Sequence, residues 1–493
     1  MLKTTNAVKI AESDNVAVLI ADIPAGIEIF GAISYEAVPQ GHKIALEDIK
    51  KGCNVIKYGY PIGHALTDIK KGSHVHTHNL QTNLKGLLEY KYQPELASEK
   101  SLSHRTFFGY KRDNGKIGIR NEIWIINTVG CVNKVAERAA AEASKKFEGE
   151  TDGIFTFVHP FGCSQLGDDH VYTQKILAGM VNHPNAAAVL VLGLGCENNN
   201  IEEFKKVLGE YDERRVRFLE LQEADDDIAD IISLIGELMP YVKKFKREEI
   251  SASSLTIGLK CGGSDGFSGI TANPLVGRVS DKITECGGTA ILSEVPEMFG
   301  AETILMNRCK TEELFNKTTA LINDFKAYYI RYNQEVYENP SLGNKKGGIS
   351  TLEDKSLGCT QKGGTSNVTA VLDYGETVSA AGLNLLKGPG NDIVSITNLT
   401  AAGAHMILFT TGRGTPVGAP VPTIKISTNS ELARKKHSWI DFDAGILLGD
   451  VSMDDLSERF MDYVLDVASG KVMAKNEINN YREIAIFKDG VTL

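Results

Sequence analysis

The sequence predicts a multidomain α/β protein: a small N-terminal β domain followed by two α/β domains with mostly parallel sheets. Three observations predict it. The first ninety or so residues are short alternating runs broken by glycine. From about Ile123, apolar strand-like runs alternate with amphipathic helical stretches. A second series of the same kind begins near Ser251. Alternation of strand and helix is the pattern of βαβ units and a parallel sheet, whereas short runs with regular turns read as a barrel or clip.

In the N-terminal part the runs are NVAVLIADIPAG, HKIALEDIKKG, NVIKYGYPIG and HALTDIKKG, then SHVHTHNL. The phrase DIKKG recurs from Asp48 and Asp68, with DIPAG at Asp22 as a near-copy. The spacing is irregular, so this is repeated turn chemistry and not a solenoid. The expected boundaries are residues 1–92 for the β domain and 93–108 for a linker, because KYQPELASEKSLSHRTFFGYKRDNG lacks periodicity. Residues 109–250 form the central α/β domain, with helices expected in VNKVAERAAAEASKKF and ADDDIADIISLIGELMPYVKKFKREE. Residues 251–493 form the C-terminal α/β domain. It opens on the strand SLTIGLKC and contains the helical stretches TEELFNKTTALINDFKAYYIRYNQEVY and SMDDLSERFMDYVLDVAS.

Composition narrows the function classes. The chain of 493 residues has 42% hydrophobic and 24% charged residues and a net charge of −10, as a soluble globular protein would. No basic stripe interleaved with aromatics suggests nucleic acid. The longest apolar stretch, Ala186 to Gly195, is too short for a membrane span. Eight cysteines, mostly in or after apolar runs, do not resemble a disulfide framework. With no signal-peptide pattern at the start, a cytoplasmic location is expected. Homo-oligomerisation is left open.

Cys131, Cys163, Cys196 and Cys261 each follow an apolar run and lie beside glycine. Open parallel sheets bind ligands beyond the carboxyl ends of their strands, and thiols gathered there favour iron over magnesium or calcium. Cysteine also packs as a small hydrophobe. His74, His76 and His78 alternate in GSHVHTHN, with Asn79 beside them. On a strand they share one face and suit iron, zinc or manganese, or acid–base work. CGGSDGFSG follows a strand and offers an anion nest, with Ser264 and Asp265 as polar contacts. It fits neither the dinucleotide nor the P-loop fingerprint. Arg413, between glycines in FTTGRGTPVG, is suited to gripping a carboxylate. Lys355, Cys359 and Lys362 come together in EDKSLGCTQKGG, and Lys362 is a candidate to hold a carboxylate. Glu294, Glu297 and Glu302 in SEVPEMFGAE read more simply as surface acids near a helix start. His159 and His170 flank Cys163 as secondary candidates.

GYKRDNGKIGIRN, HPNAAAVLVLGLGCEN, KCGGSDGFSGITANP, SEVPEMFGAE, EDKSLGCTQKGG, GPGND and AAGAHMILFTTGRGTP follow one another in this order. In series they resemble the altronate and galactarate dehydratase family over nearly the whole chain. VHTHN resembles the end of that family's small SAF-type (β-clip-like) domain, and Leu342 in PSLGN stands where proline is expected. The resemblance implies dehydration of a sugar acid, D-altronate to 2-keto-3-deoxy-D-gluconate, in hexuronate breakdown. It also implies dependence on Fe²⁺ or Mn²⁺ and makes Arg120 a substrate contact. His76 and His78 would be catalytic or metal-binding, with Arg413 and Lys362 holding the carboxylate. An iron–sulfur cluster on Cys131, Cys163, Cys196 or Cys261 is the alternative metal state. The alternative functions are galactarate dehydratase, a lyase acting on a sulfonated hydroxy acid, and a non-catalytic sugar-acid binding protein.

Overall fold

The computed structural model describes residues 1–98, 103–337 and 339–490. The N-terminal domain is built of short antiparallel strands. One sheet runs Leu2–Lys3, Ala7–Lys9, Val16–Leu19, Lys43–Ala45 and His74–Val75, and a second joins Leu80–Gln81, Tyr60–Ala65 and Asn54–Lys57. The repeated turns do one job twice. Asp48 accepts the backbone N–H of Lys71, and Asp68 accepts that of Lys51. Each DIKKG turn thus caps the other.

Residues 82–98 run over the C-terminal domain instead of linking freely. Tyr90 donates to Glu302 and Tyr92 to the carbonyl of Cys309. The segment expected as linker ends inside a strand. Thr106–Lys111 pairs along its length with Arg247–Ser251, so the two ends of the central domain close on each other. The irregular pattern of RTFFGYK is explained by its place in a three-stranded antiparallel sheet.

The central domain carries a four-stranded parallel sheet in the order Ile154–Thr156, Glu122–Asn127, Ala186–Gly193, Val216–Glu220. All eight residues of Ala186–Gly193 are buried, which is why that run is apolar without alternation. Helices Asn133–Lys146 and Asp227–Lys243 form where their patterns predict them.

The C-terminal domain is a seven-stranded parallel sheet in the order Val368–Leu372, Gly382–Leu386, Thr289–Leu292, Thr256–Cys261, Met406–Thr411, Thr423–Ser427, Phe442–Asp443. The chain builds outward on one side of Thr256–Cys261 and then returns to build on the other. That reversal opens a crevice beyond the strand's carboxyl end, where Cys261 sits. Helix Glu312–Arg331 packs on the edge strand Val368–Leu372, and helix Met453–Ala468 packs on helix Ala272–Glu285 and strand Thr106–Lys111. No helix among the described residues is long and apolar enough to cross a membrane.

Candidate active site

A cavity of about 740 Å³ lies at this crevice. Cys261 closes the central strand, Glu297 follows Thr289–Leu292, and Asn391 and Asp392 follow Gly382–Leu386. Lys355 enters from helix Leu352–Cys359, and Tyr328 and Tyr329 from helix Glu312–Arg331. Leu342, 86% exposed, stands on its rim.

The floor is a buried lattice of alternating charge. Lys355 Nζ lies 2.8 Å from Glu297, and Lys362 Nζ lies 3.0 Å from Glu294. Lys260 bridges Glu294 and, at 2.8 Å, Asp392. Lys362 also donates to Cys261 Sγ at 2.7 Å. Cys261 Sγ is 2.9 Å from Glu297 and 3.3 Å from Cys359 Sγ. Glu294 is wholly buried in the left-handed region, at φ 68°. A non-glycine residue there is strained. The two lysines and the Cys261 backbone N–H hold its carboxylate in place.

Burial alone would push the Glu297 carboxyl up, but Lys355, Lys362 and Lys260 overcome it and hold the carboxyl far below the usual range. Burial opposes the Lys355 charge, yet Glu297 and the neighbouring thiols keep it an ammonium. The Cys359 thiol is pushed up by its hydrogen bond to Cys261 and by burial. Cys261, Glu297 and Cys359 place one ligand atom each within 4.8 Å of one another, a spacing that suits a metal ion. Three ammonium groups face three carboxylates there, so the charges of the lattice balance. Lys355, at the cavity wall, donates to Asn339 and Asn344 Oδ1 as well as pairing with Glu297.

The sequence grouped Lys355, Cys359 and Lys362 correctly as neighbours, but Lys362 is walled in behind Cys261 and only 1% exposed. Lys355 is the lysine that reaches the cavity. The acids of SEVPEMFGAE are not surface groups: Glu294 and Glu297 line this lattice, and Glu302 is buried against Lys326 and Tyr90. Glu294 and Glu297 bound the 3-10 turn Val295–Glu297 just beyond a strand tip, and Glu302 opens the short helix Glu302–Met306, so the helix starts expected are present but buried.

Arg413 is exposed beside Gly263 and Gly343, with no side-chain partner among the described residues. Asp265 is committed to its own loop. It accepts hydrogen bonds from Phe267 N, Ser268, Thr428 and Asn429, and burial pushes its carboxyl up. Ser264 is buried, and its carbonyl accepts from Asn344. Arg120 is buried and does not line this cavity. It forms a two-pronged pair with Glu477 and donates to the carbonyls of Ile119 and Val467, so the expected substrate contact is replaced by a structural one.

The histidine stretch is strand only over His74–Val75 and then turns. The shared face expected from alternation is therefore replaced by a cluster that folds around a fourth histidine, His42. His42 Nδ1 lies 3.0 Å from His74 Nε2. The ring centroids of His42–His76 and His74–His78 are 4.8 and 5.3 Å apart. His76 Nδ1 meets Ser350 Oγ at 2.8 Å, in the segment leading to helix Leu352–Cys359. Burial, then neighbouring His and Lys43 charges, lowers His74 to about 4 and His76 to about 3. Both are neutral at physiological pH, the form that ligates metal. His42 was missed because it lies far from VHTHN in sequence.

The cysteines divide. Cys131, Cys163 and Cys196 are exposed on the loops after three neighbouring strands of the central sheet, while Cys261 is buried in the other sheet beside Cys359. A single four-thiol set is thus corrected to three plus one. The three loops touch: Gly130 N donates to Phe161 O and Asn199 N to Gly162 O. Asn127 Oδ1, Gln165 Nε2 and Asn199 Oδ1, near these thiols in sequence, are buried without a partner. His159 is buried and bonded to the Asn127 carbonyl; His170 Nδ1 is buried without a partner.

The molecule is thus a small β domain fused to two α/β domains with parallel sheets, with a polar cavity at the strand tips of the last. Three family descriptions match in order: the altronate/galactarate dehydratase SAF domain over residues 5–83, the D-galactarate dehydratase/altronate hydrolase second domain over 109–243, and the D-galactarate/altronate dehydratase C-terminal domain over 252–492. The chain is 53% identical to altronate dehydratase of Escherichia coli and 51% identical to that of Bacillus subtilis, covering 99% of each and of itself. It is 31% identical to the E. coli galactarate dehydratase (L-threo-forming), over 97% of this chain and 96% of that one. The chain belongs to the D-galactarate/altronate dehydratase family and is a hydro-lyase.

Proposed function

We propose that the enzyme converts D-altronate to 2-keto-3-deoxy-D-gluconate and water, in hexuronate catabolism. The observation that carries this reading is the Lys355–Glu297 pair facing a cavity of sugar-acid size. Lys355 takes the substrate carboxylate, and Arg413 closes on the polyol from the rim. Removing the proton beside a carboxylate leaves a dianion, so a buried ammonium preset at that position lowers the barrier. Cys261, lining the cavity and acting as a thiolate beside the Lys362 ammonium, accepts the C2 proton. The C3 hydroxyl leaves as water with that same proton, returned by Cys261, and the enol tautomerises to the keto acid.

Fe²⁺, with Mn²⁺ as substitute, is the proposed metal. His42, His74, His76 and His78 are the residues that would hold it: their rings cluster at the seam of two domains, with His42 Nδ1 3.0 Å from His74 Nε2, and burial lowers His74 and His76. Bound there, the ion supplies Lewis-acid polarisation of an oxygen. A second reading rests on Cys131, Cys163 and Cys196, whose loops meet around unpartnered amides. These thiols would hold an iron–sulfur cluster, which is ligated by cysteine thiolates.

The test is keto-acid formation from a panel of aldonic, aldaric and sulfonated hydroxy acids, run anaerobically with iron. Altronate as the preferred substrate is the expected result. Preference for galactarate, or release of sulfite from a sulfonated acid, overturns the substrate. Ligand-induced stabilisation without product overturns catalysis.

A further inference from the structure

Helix Leu352–Cys359 and the turn that follows it have two working faces. Lys355, Cys359 and Lys362 point to the active-site lattice. Leu357, Gln361 and Gly364, on the opposite side by helical spacing, line a trough between the N-terminal and C-terminal domains. The trough consists of two cavities of about 200 and 520 Å³ that share Tyr60, Ile304, Arg308 and Gly364.

Arg308 is the unusual group in it. The residue is 8% exposed. One guanidinium nitrogen donates to the Gly364 carbonyl, and Nε has no partner. No carboxylate pairs with it among the described residues. Asp281, the acid whose field it feels, has its oxygens taken by the N–H and hydroxyl groups of Thr365 and Ser366. A buried guanidinium stays charged and is costly to leave unpaired. Thr303 and Asn307 line the same trough and offer a hydroxyl and an amide. Glu95 is the acidic group lining it, and it is exposed.

We propose that Arg308 anchors a second ligand site, separate from the active site, for a small oxyanion presenting a carboxylate or phosphate. The site backs directly onto the helix that carries Lys355, so its occupant is placed to act as an effector. Two sources share this chemistry: free phosphate, and a sugar-derived acid such as the keto-acid product.

Hydrogen exchange of the full-length protein, with inorganic phosphate or the 2-keto-3-deoxy acid as probe, locates the site. Slowed exchange across 303–308 and 360–365 is expected with at least one probe, and it persists in Lys355→Met, which removes active-site binding. Protection by phosphate alone identifies the first source, and by the keto acid alone the second. Arg308→Met weakens binding at least about tenfold, the low end for a charge-assisted hydrogen bond. Glu95→Gln, an exposed change that does not threaten folding, tightens it about two- to fivefold. Absence of protection in those segments with both probes, or protection unaffected by both Arg308→Met and Glu95→Gln, overturns the proposal.

Discussion

Lys355 and Glu297 meet at 2.8 Å in a cavity wall, one from an α-helix and the other from a 3-10 turn beyond a strand tip. Replacing Lys355 by Met leaves Glu297 as a buried carboxylate with one cation fewer and removes the group offered to the substrate. Steady-state kinetics should show kcat/KM lower by at least about 100-fold, the loss typical of one preorganised donor. An unchanged kcat/KM in a folded variant removes Lys355 from the reaction.

Asp354 sits between Lys43 and Lys57, at 2.8 and 2.9 Å, with all three side chains essentially buried. Burial raises its carboxyl, but the two ammonium groups prevail and hold it far below the usual range. Its contribution to stability is therefore complete above the unfolded carboxylate pKa, about 4. It is lost as pH falls below that value toward the lower folded one. Melting temperature should drop steeply below about pH 4. In Asp354→Asn the drop should be shallower, from a starting stability lower by about 3–5 kcal/mol.

Arg120 pairs with Glu477 in the protein interior. Arg120→Met should destabilise the fold by about 3–5 kcal/mol, as loss of one partner of a buried pair does. KM of the surviving folded enzyme should stay unchanged; a raised KM at unchanged stability would return Arg120 to the site.

A methyl group on Gly266 would lie 2.0 Å from the carbonyl oxygen of Gly41, across the seam between the outer domains. Gly266→Ala should cost about 1–3 kcal/mol, as overpacking does. Limited proteolysis should then release the N-terminal domain faster.

The metal readings part on purified anaerobic protein. His42→Ala, His76→Ala and His78→Ala should each cut turnover at least about 100-fold, with weaker iron retention in direct metal titration. Acid-labile sulfide in active enzyme, together with wild-type iron retention in the histidine variants, would instead favour Cys131, Cys163 and Cys196.

Much of the fold was legible because buried parallel strands write themselves as apolar runs, and Ala186–Gly193 is the clearest case. Thr106–Lys111 escaped notice because an antiparallel strand with alternating exposure, close to charged turns, has no apolar run to announce it. Within the site, local motifs were readable and their partners were not. EDKSLGC and SEVPE each looked weak alone, and only the sheet topology brings Lys355 to Glu297. His42 joins the histidine cluster through strand pairing of Lys43–Ala45 with His74–Val75, a relation that no spacing in the chain encodes.

The clamp of two N-terminal lysines on Asp354 means that the clip domain is no detachable appendage. Expressed without it, residues 84–493 would keep an anion in their interior, one position from Lys355, with its counter-charges gone. Covalent fusion here guarantees one clip per catalytic body, so assembly of the enzyme cannot become limited by dilution of a partner.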